Sequence, residues 1–198
     1  MSIYQYARPK DIMERYQKLP DGLRNEVLEV LDLPYSDFVK KYQLHKIKRS
    51  YKVPQKGDVF LLQPRENVFF FGLVINDNVS NYNGGEQFVV MIFKDKTNSV
   101  KETIFLPNYD NLLIPPLLIT RLYWTTGMFY NVGHISELNV DVTYGFYNQL
   151  YDKITDEYGH RLLKEPKWLG PSGLCTDTGV ASYVNRELII DKKLLNFD

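Results

Sequence analysis

Two apolar runs, Val59–Leu62 and Val68–Ile75, lie in KGDVFLLQPRENVFFFGLVIN (Lys56–Asn76), separated by Gln63-Pro64-Arg65-Glu66-Asn67. Short apolar runs bounded by turn residues predict an antiparallel hairpin, with Gly57-Asp58 opening its first strand. Gly72 interrupts the second strand, which predicts a neighbouring backbone in close approach. A chain that begins a domain this way is building a curved antiparallel sheet. The hairpin carries neither a phosphate-cradling loop nor a nucleophile elbow, which favours a binding protein over an enzyme.

The 198 residues are enough for one domain, or one domain with an N-terminal extension. Fifteen tyrosines and eleven phenylalanines can fill a core and still leave tyrosine for an interface. Alanine occurs only at Ala7 and Ala181, which argues against a helical bundle. The balanced net charge hides an asymmetry. Residues 1–56 carry 12 basic and 7 acidic side chains, and residues 57–198 carry 12 and 17. The division expected is therefore a basic helical extension, 1–50, and an acidic α+β domain, 51–198. An acidic domain suits a basic protein partner better than nucleic acid.

Cys175 is the single cysteine, so no internal disulfide forms. MSIYQYARPK lacks the apolar core of a signal peptide, and Leu112–Ile119 is too short to span a bilayer. These features predict a cytoplasmic protein without a membrane partner.

Pro9 followed by Lys10–Leu19, then Leu23–Leu31, then a segment capped by Ser36 through Tyr42 predict three short amphipathic helices. Lys40–Lys56 holds seven basic residues and no acid, and reads as a solvated linker or a nucleic-acid stripe. Beyond the hairpin and the polar connection Asn76–Glu86, strands are expected at Gln87–Lys94 and Val100–Leu106. Leu112–Trp124 contains Pro115-Pro116 and is expected to be a loop feeding an edge strand. Tyr123–Val132 predicts a further strand, or two halves bent at Gly127. Phe146, Leu150 and Ile154 form a stripe that predicts a helix over Phe146–Tyr158, ended by Gly159. Pro166–Gly173 reads as an ordered loop and Val180–Leu188 as a C-terminal helix. The expected fold class is α+β: a curved, mainly antiparallel sheet with C-terminal helices packed on it and a short helical N-terminal extension.

No chemistry-bearing constellation assembles along the chain. His45, His134 and His160 lack the spacing of a metal pair, so no metal or cofactor is expected. Gly170-Pro171-Ser172-Gly173 is not a G-x-S-x-G elbow. Cys175 could meet His134 or His160 in space, but a lone cysteine is more often a structural thiol. Glu137, Asp141, Asp152, Asp156 and Glu157 face Lys153 alone across their stretch, forming either an exposed helix surface or a patch for a basic partner.

The GDVF at Gly57, the FGLVI that follows, WTTGMFYNVG (Trp124–Gly133) and the tail YDKITDEYGHRLLKEPKWLG together resemble the bacterial immunity protein 26 family, encoded beside polymorphic toxins. The resemblance covers about Tyr51 to Leu188 and leaves residues 1–50 outside. It implies an α+β domain that binds and neutralises a cognate toxin without catalysis or cofactor. It also implies that Gly57, Asp58, Gly72, Trp124, Gly127 and Gly133 are fold determinants. The alternative is a nucleic-acid adaptor using segment 40–56 with Tyr51, Phe69 or Phe71 as base-stacking aromatics.

Overall fold

Val59, Phe60, Leu61 and Leu62 point alternately to two different cores, because a strand sends successive side chains to opposite faces. The structure, a computed structural model, describes residues 8–79, 86–101 and 104–197. Its centre is a five-stranded antiparallel sheet of β1 (Asp58–Arg65), β2 (Val68–Val79), β3 (Gln87–Thr97), β4 (Leu112–Thr120) and β5 (Phe129–His134), in the order β4-β3-β2-β1-β5. Both faces are covered, which is why the strands read as unbroken apolar runs.

The opening hairpin forms as expected, with a tighter turn. Arg65 pairs with Val68, leaving Glu66-Asn67 between them, and Asn67 takes φ 57°. Asparagine tolerates that left-handed geometry, as two-residue hairpin turns require. Gly72 faces a ring rather than a backbone: a Cβ there would overlap the buried Phe60 side chain.

On one face lie α1 (Pro9–Gln17), α2 (Asp21–Asp32), α3 (Tyr35–Tyr42) and α5 (Gly179–Ile190). Tyr16, Val27, Val30, Phe38 and Tyr42 share a core with Val180, Val184 and Leu188, and with Phe60, Phe88 and Ile114 of the sheet. Polar contacts fasten these helices together. Arg15 donates two 2.8 Å bonds to the Glu187 carboxylate, Arg186 donates to the Tyr16 hydroxyl, and the Asn185 amide donates to the Tyr42 carbonyl. Ser36 does not cap α3; Pro34 occupies that position, and its fixed φ suits a helix start.

The other face carries a smaller sheet, β6 (Tyr144–Asn148), β7 (Lys153–Thr155) and β8 (Trp168–Pro171), ordered β7-β6-β8 with β6 and β8 parallel. Phe146 and Trp168 from this sheet fill the second core against Leu61, Phe71, Leu73 and Met91.

Five further expectations are corrected. Phe146–Tyr158 is a strand hairpin, not a helix: Asp152 takes φ 46° in its turn and Leu150 is 88% exposed. The described residues of Val100–Leu106 form no strand, because β4 already pairs with the edge of β3. Phe105 instead anchors the segment, stacked 4.7 Å from the Phe71 ring. Leu112–Thr120 is itself the edge strand, with Pro115-Pro116 in a bulge where the register shifts between Ile92/Ile114 and Val90/Leu117. Tyr123–Val132 begins as a helical turn, α4 (Leu122–Thr125), and becomes β5 only after Gly127. The ordered loop at 166–173 contains β8. Of the polar connection 76–86, residues 80–85 lie outside the described residues.

Candidate functional site

β1 begins with a carboxylate ahead of the apolar run Val59–Leu62. Asp58 is 4% exposed and accepts three hydrogen bonds, from the Gln55 N–H at 3.0 Å, the Asn131 amide at 2.7 Å and His134 Nδ1 at 2.9 Å. Asn131 is fixed in turn by Trp124, whose Nε1–H donates to its Oδ1 at 2.7 Å. Burying a carboxylate is costly unless its oxygens are satisfied, and here they are.

Register brings these residues together. β5 pairs with β1 so that Asp58 lies opposite His134 and Val59 opposite Gly133. Gly57, at φ 93°, donates its N–H to the Val74 carbonyl and accepts from the Ile135 N–H. A Cβ at Gly57 would overlap the Ile135 carbonyl oxygen. Gly127 makes the turn against the Lys48–Arg49 backbone. Four of the six expected fold determinants, Gly57, Asp58, Trp124 and Gly133, therefore converge on the setting of one imidazole. His134 is the most exposed side chain of this network and, with Asn131, lines a cleft of about 370 Å³ shared with Ser50, Lys52 and Tyr130.

The basic segment forms one wall of that cleft. His45 bridges to Gln63, Ile47 N–H donates to the Gly127 carbonyl, Ser50 N–H donates to the Trp124 carbonyl, and the Lys48 ammonium lies 5.6 Å from the Tyr130 ring centroid. Tyr51 is exposed, whereas Phe69 and Phe71 are buried and cannot stack on bases.

A second cleft, of about 390 Å³, opens beside the β6–β7 hairpin and is lined by Tyr151, Lys153, Asp156, Glu157 and Tyr158. Glu157 Oε1 accepts from the Tyr144 hydroxyl at 2.6 Å and the Asn76 amide at 2.8 Å. Burial, then the bond to Glu157, pushes the Tyr144 hydroxyl well above its ordinary range. Asp156 accepts from the N–H groups of Tyr158 and His160 and from His160 Nδ1. The hairpin tip presents Leu150 and Tyr151, 88% and 70% exposed.

The expected acidic patch is divided. Asp156 and Glu157 share this cleft, while Asp152 turns to a neighbouring groove with Arg8 and Arg161 and bonds the Tyr147 hydroxyl. Glu137 and Asp141 are exposed on the β5–β6 connection and line neither space. Cys175 is buried in the helix-side core, and burial pushes its thiol up to about 12. It bonds no histidine, and no His/Cys/Asp/Glu group that could hold a metal occurs among the described residues. No helix among them is long and apolar enough to cross a membrane.

The sequence profile of the family described as Immunity protein 26 matches residues 55–157. The chain belongs to the Immunity protein 26 family. The matched span contains β1 to β7 and with them both clefts' principal residues, Asp58, His134, Asp156 and Glu157. It leaves the N-terminal helices, β8 and α5 of this immunity-family chain outside. No curated protein and no solved structure matches the chain.

Asn131, and the pairing of His134 with Asp58 rather than with Cys175, escaped the reading of residue types, because both depend on strand pairing. One signal was available: Asp58 is a lone carboxylate at the head of an apolar run, and such a group requires partners.

Proposed function

We propose that this chain is a non-catalytic, cytoplasmic immunity protein of a polymorphic toxin system that neutralises a cognate toxin by binding it. The family membership carries the reading. Its contact face is the β6–β7 hairpin and adjoining cleft, where Tyr151 and Tyr158 flank Asp156 and Glu157. Exposed aromatics beside oriented carboxylates suit a partner surface bearing arginine or lysine. Lys153 gives the arrangement a precedent within the chain, its ammonium lying 5.0 Å from the Tyr151 ring centroid. Of the five acidic residues singled out in the sequence, Asp156 and Glu157 serve as contacts. Asp152, Glu137 and Asp141 contribute only long-range attraction.

In this reading the segment 1–50 supports α5, and 51–198 carries recognition. The test is coexpression with the product of the toxin gene beside it. The full chain should rescue growth and purify as a stoichiometric complex. Tyr151→Ala with Glu157→Gln should weaken that complex at least tenfold while leaving the fold intact. A toxin that kills equally with and without this chain, and does not bind it, ends the proposal.

A further inference from the structure

We infer that the cleft between β5 and the basic segment is an oxyanion-binding site, with His134 and Lys52 as its ligands. The inference is independent of the toxin reading, since it rests on the geometry of a different surface.

Asp58 fixes the imidazole. A carboxylate accepting at Nδ1 keeps a proton there, so neutral His134 presents Nε2 as an acceptor and charged His134 presents it as a donor. Among the described residues nothing bonds Nε2, and the His134 side chain is 43% exposed while Asp58 behind it is 6% exposed. Both Asp58 oxygens are already engaged, one with His134 and the other with Gln55 N–H and the Asn131 amide. The buried charge therefore orients the ring without itself offering an acceptor to the cleft.

The other polar side chains lining the space, Lys52, Ser50, Tyr130 and Asn131, include no second carboxylate, and the Asn131 amide is already engaged with Asp58 and Trp124. A carboxylate or phosphate group placed between Lys52 and Nε2 would complete the site, since charge-assisted bonds to an oxyanion are the strong ones. Such a ligand would face charged His134 from one side while Asp58 faces it from the other. The groups facing the ring are Asp58 from β1, Tyr130 and Asn131 from β5, and Lys52 from the segment before β1.

The test is an NMR titration of the full chain, following the Cε1–H resonances of His45, His134 and His160 against inorganic phosphate and, separately, acetate. The expected result is a saturable shift at His134 alone. Lys52→Gln should weaken it several-fold, and His134→Gln should remove the response of neighbouring Tyr130. Stronger binding of phosphate would assign a phosphoryl ligand, and stronger binding of acetate a carboxylate. Parallel shifts at all three histidines, no saturation, or an unchanged response in Lys52→Gln would overturn the inference. Tight binding of a mixed oligonucleotide that survives His134→Gln would overturn it in favour of a nucleic-acid surface.

Discussion

Asp58 shows how one buried charge organises its neighbours. Asp58→Ala would strip the acceptor from the Asn131 amide and the Gln55 N–H, and should cost about 3 kcal/mol in urea denaturation. Asp58→Asn keeps the shape but replaces an acceptor-only oxygen with a donor facing other donors, so it should recover only part of that loss. Gly72 is constrained by space, because Phe60 fills the position its Cβ would take and stacks 4.3 Å from Phe129. Gly72→Ala should destabilise by about 1–3 kcal/mol through overpacking. Cys175 makes a chemical prediction. With its thiol raised by burial to about 12, the native protein should react negligibly with a thiol reagent at pH 8 and fully once unfolded. The linkage has a defined sign: the unfolded chain ionises its thiol first, so this group withdraws stability as pH climbs from about 9 towards 12.

At the scale of elements, the β6–β7 hairpin separates two readings of one pattern. Phe146, Leu150 and Ile154 recur every four residues, and four is both an even number and close to one helical turn. That spacing does not separate a helix from two strands joined by a turn at Leu150, and in the hairpin Ile154 pairs with Tyr147, on the opposite face from Phe146. Four aromatic residues among 146–158 and a residue able to enter the left-handed region, Asp152, favour the strand pair. Phe146→Ala should therefore cost about 3–5 kcal/mol, whereas Leu150→Ser, at the exposed tip, should stay within about 0.5 kcal/mol. A helix with a buried stripe would make both costly. The opening hairpin, β3 and the C-terminal helix were legible because each has one dominant period and clear boundaries. The expected strand at 100–106 was not, since a strand needs a free edge and β4 had taken the one on β3. The imidazole setting was equally illegible, because Asp58, Trp124, Asn131 and His134 meet only through register.

Across the whole molecule, the N-terminal helices and α5 are joined through a buried pair. Burial lowers the Arg15 guanidinium to about 10 and raises Glu187 well above its ordinary range, and the two side chains meet through a pair of 2.8 Å bonds. Arg15→Met, which strands Glu187, should cost about 3–5 kcal/mol, and the double change with Glu187→Leu should recover most of it. A chain shortened to residues 51–198 would expose Val180, Val184 and Leu188, and should lose its cooperative melting transition. The placement of Trp124 and Trp168 in the two cores on opposite faces of the five-stranded sheet gives the protein a pair of built-in optical reporters, one per layer. Since both layers clasp the same strands, in each single Trp→Phe variant the emission of the remaining indole should report the same denaturation midpoint as far-UV circular dichroism of that variant. An emission midpoint separated from the dichroism midpoint within one variant would mean that the sheet can shed one covering while keeping its second.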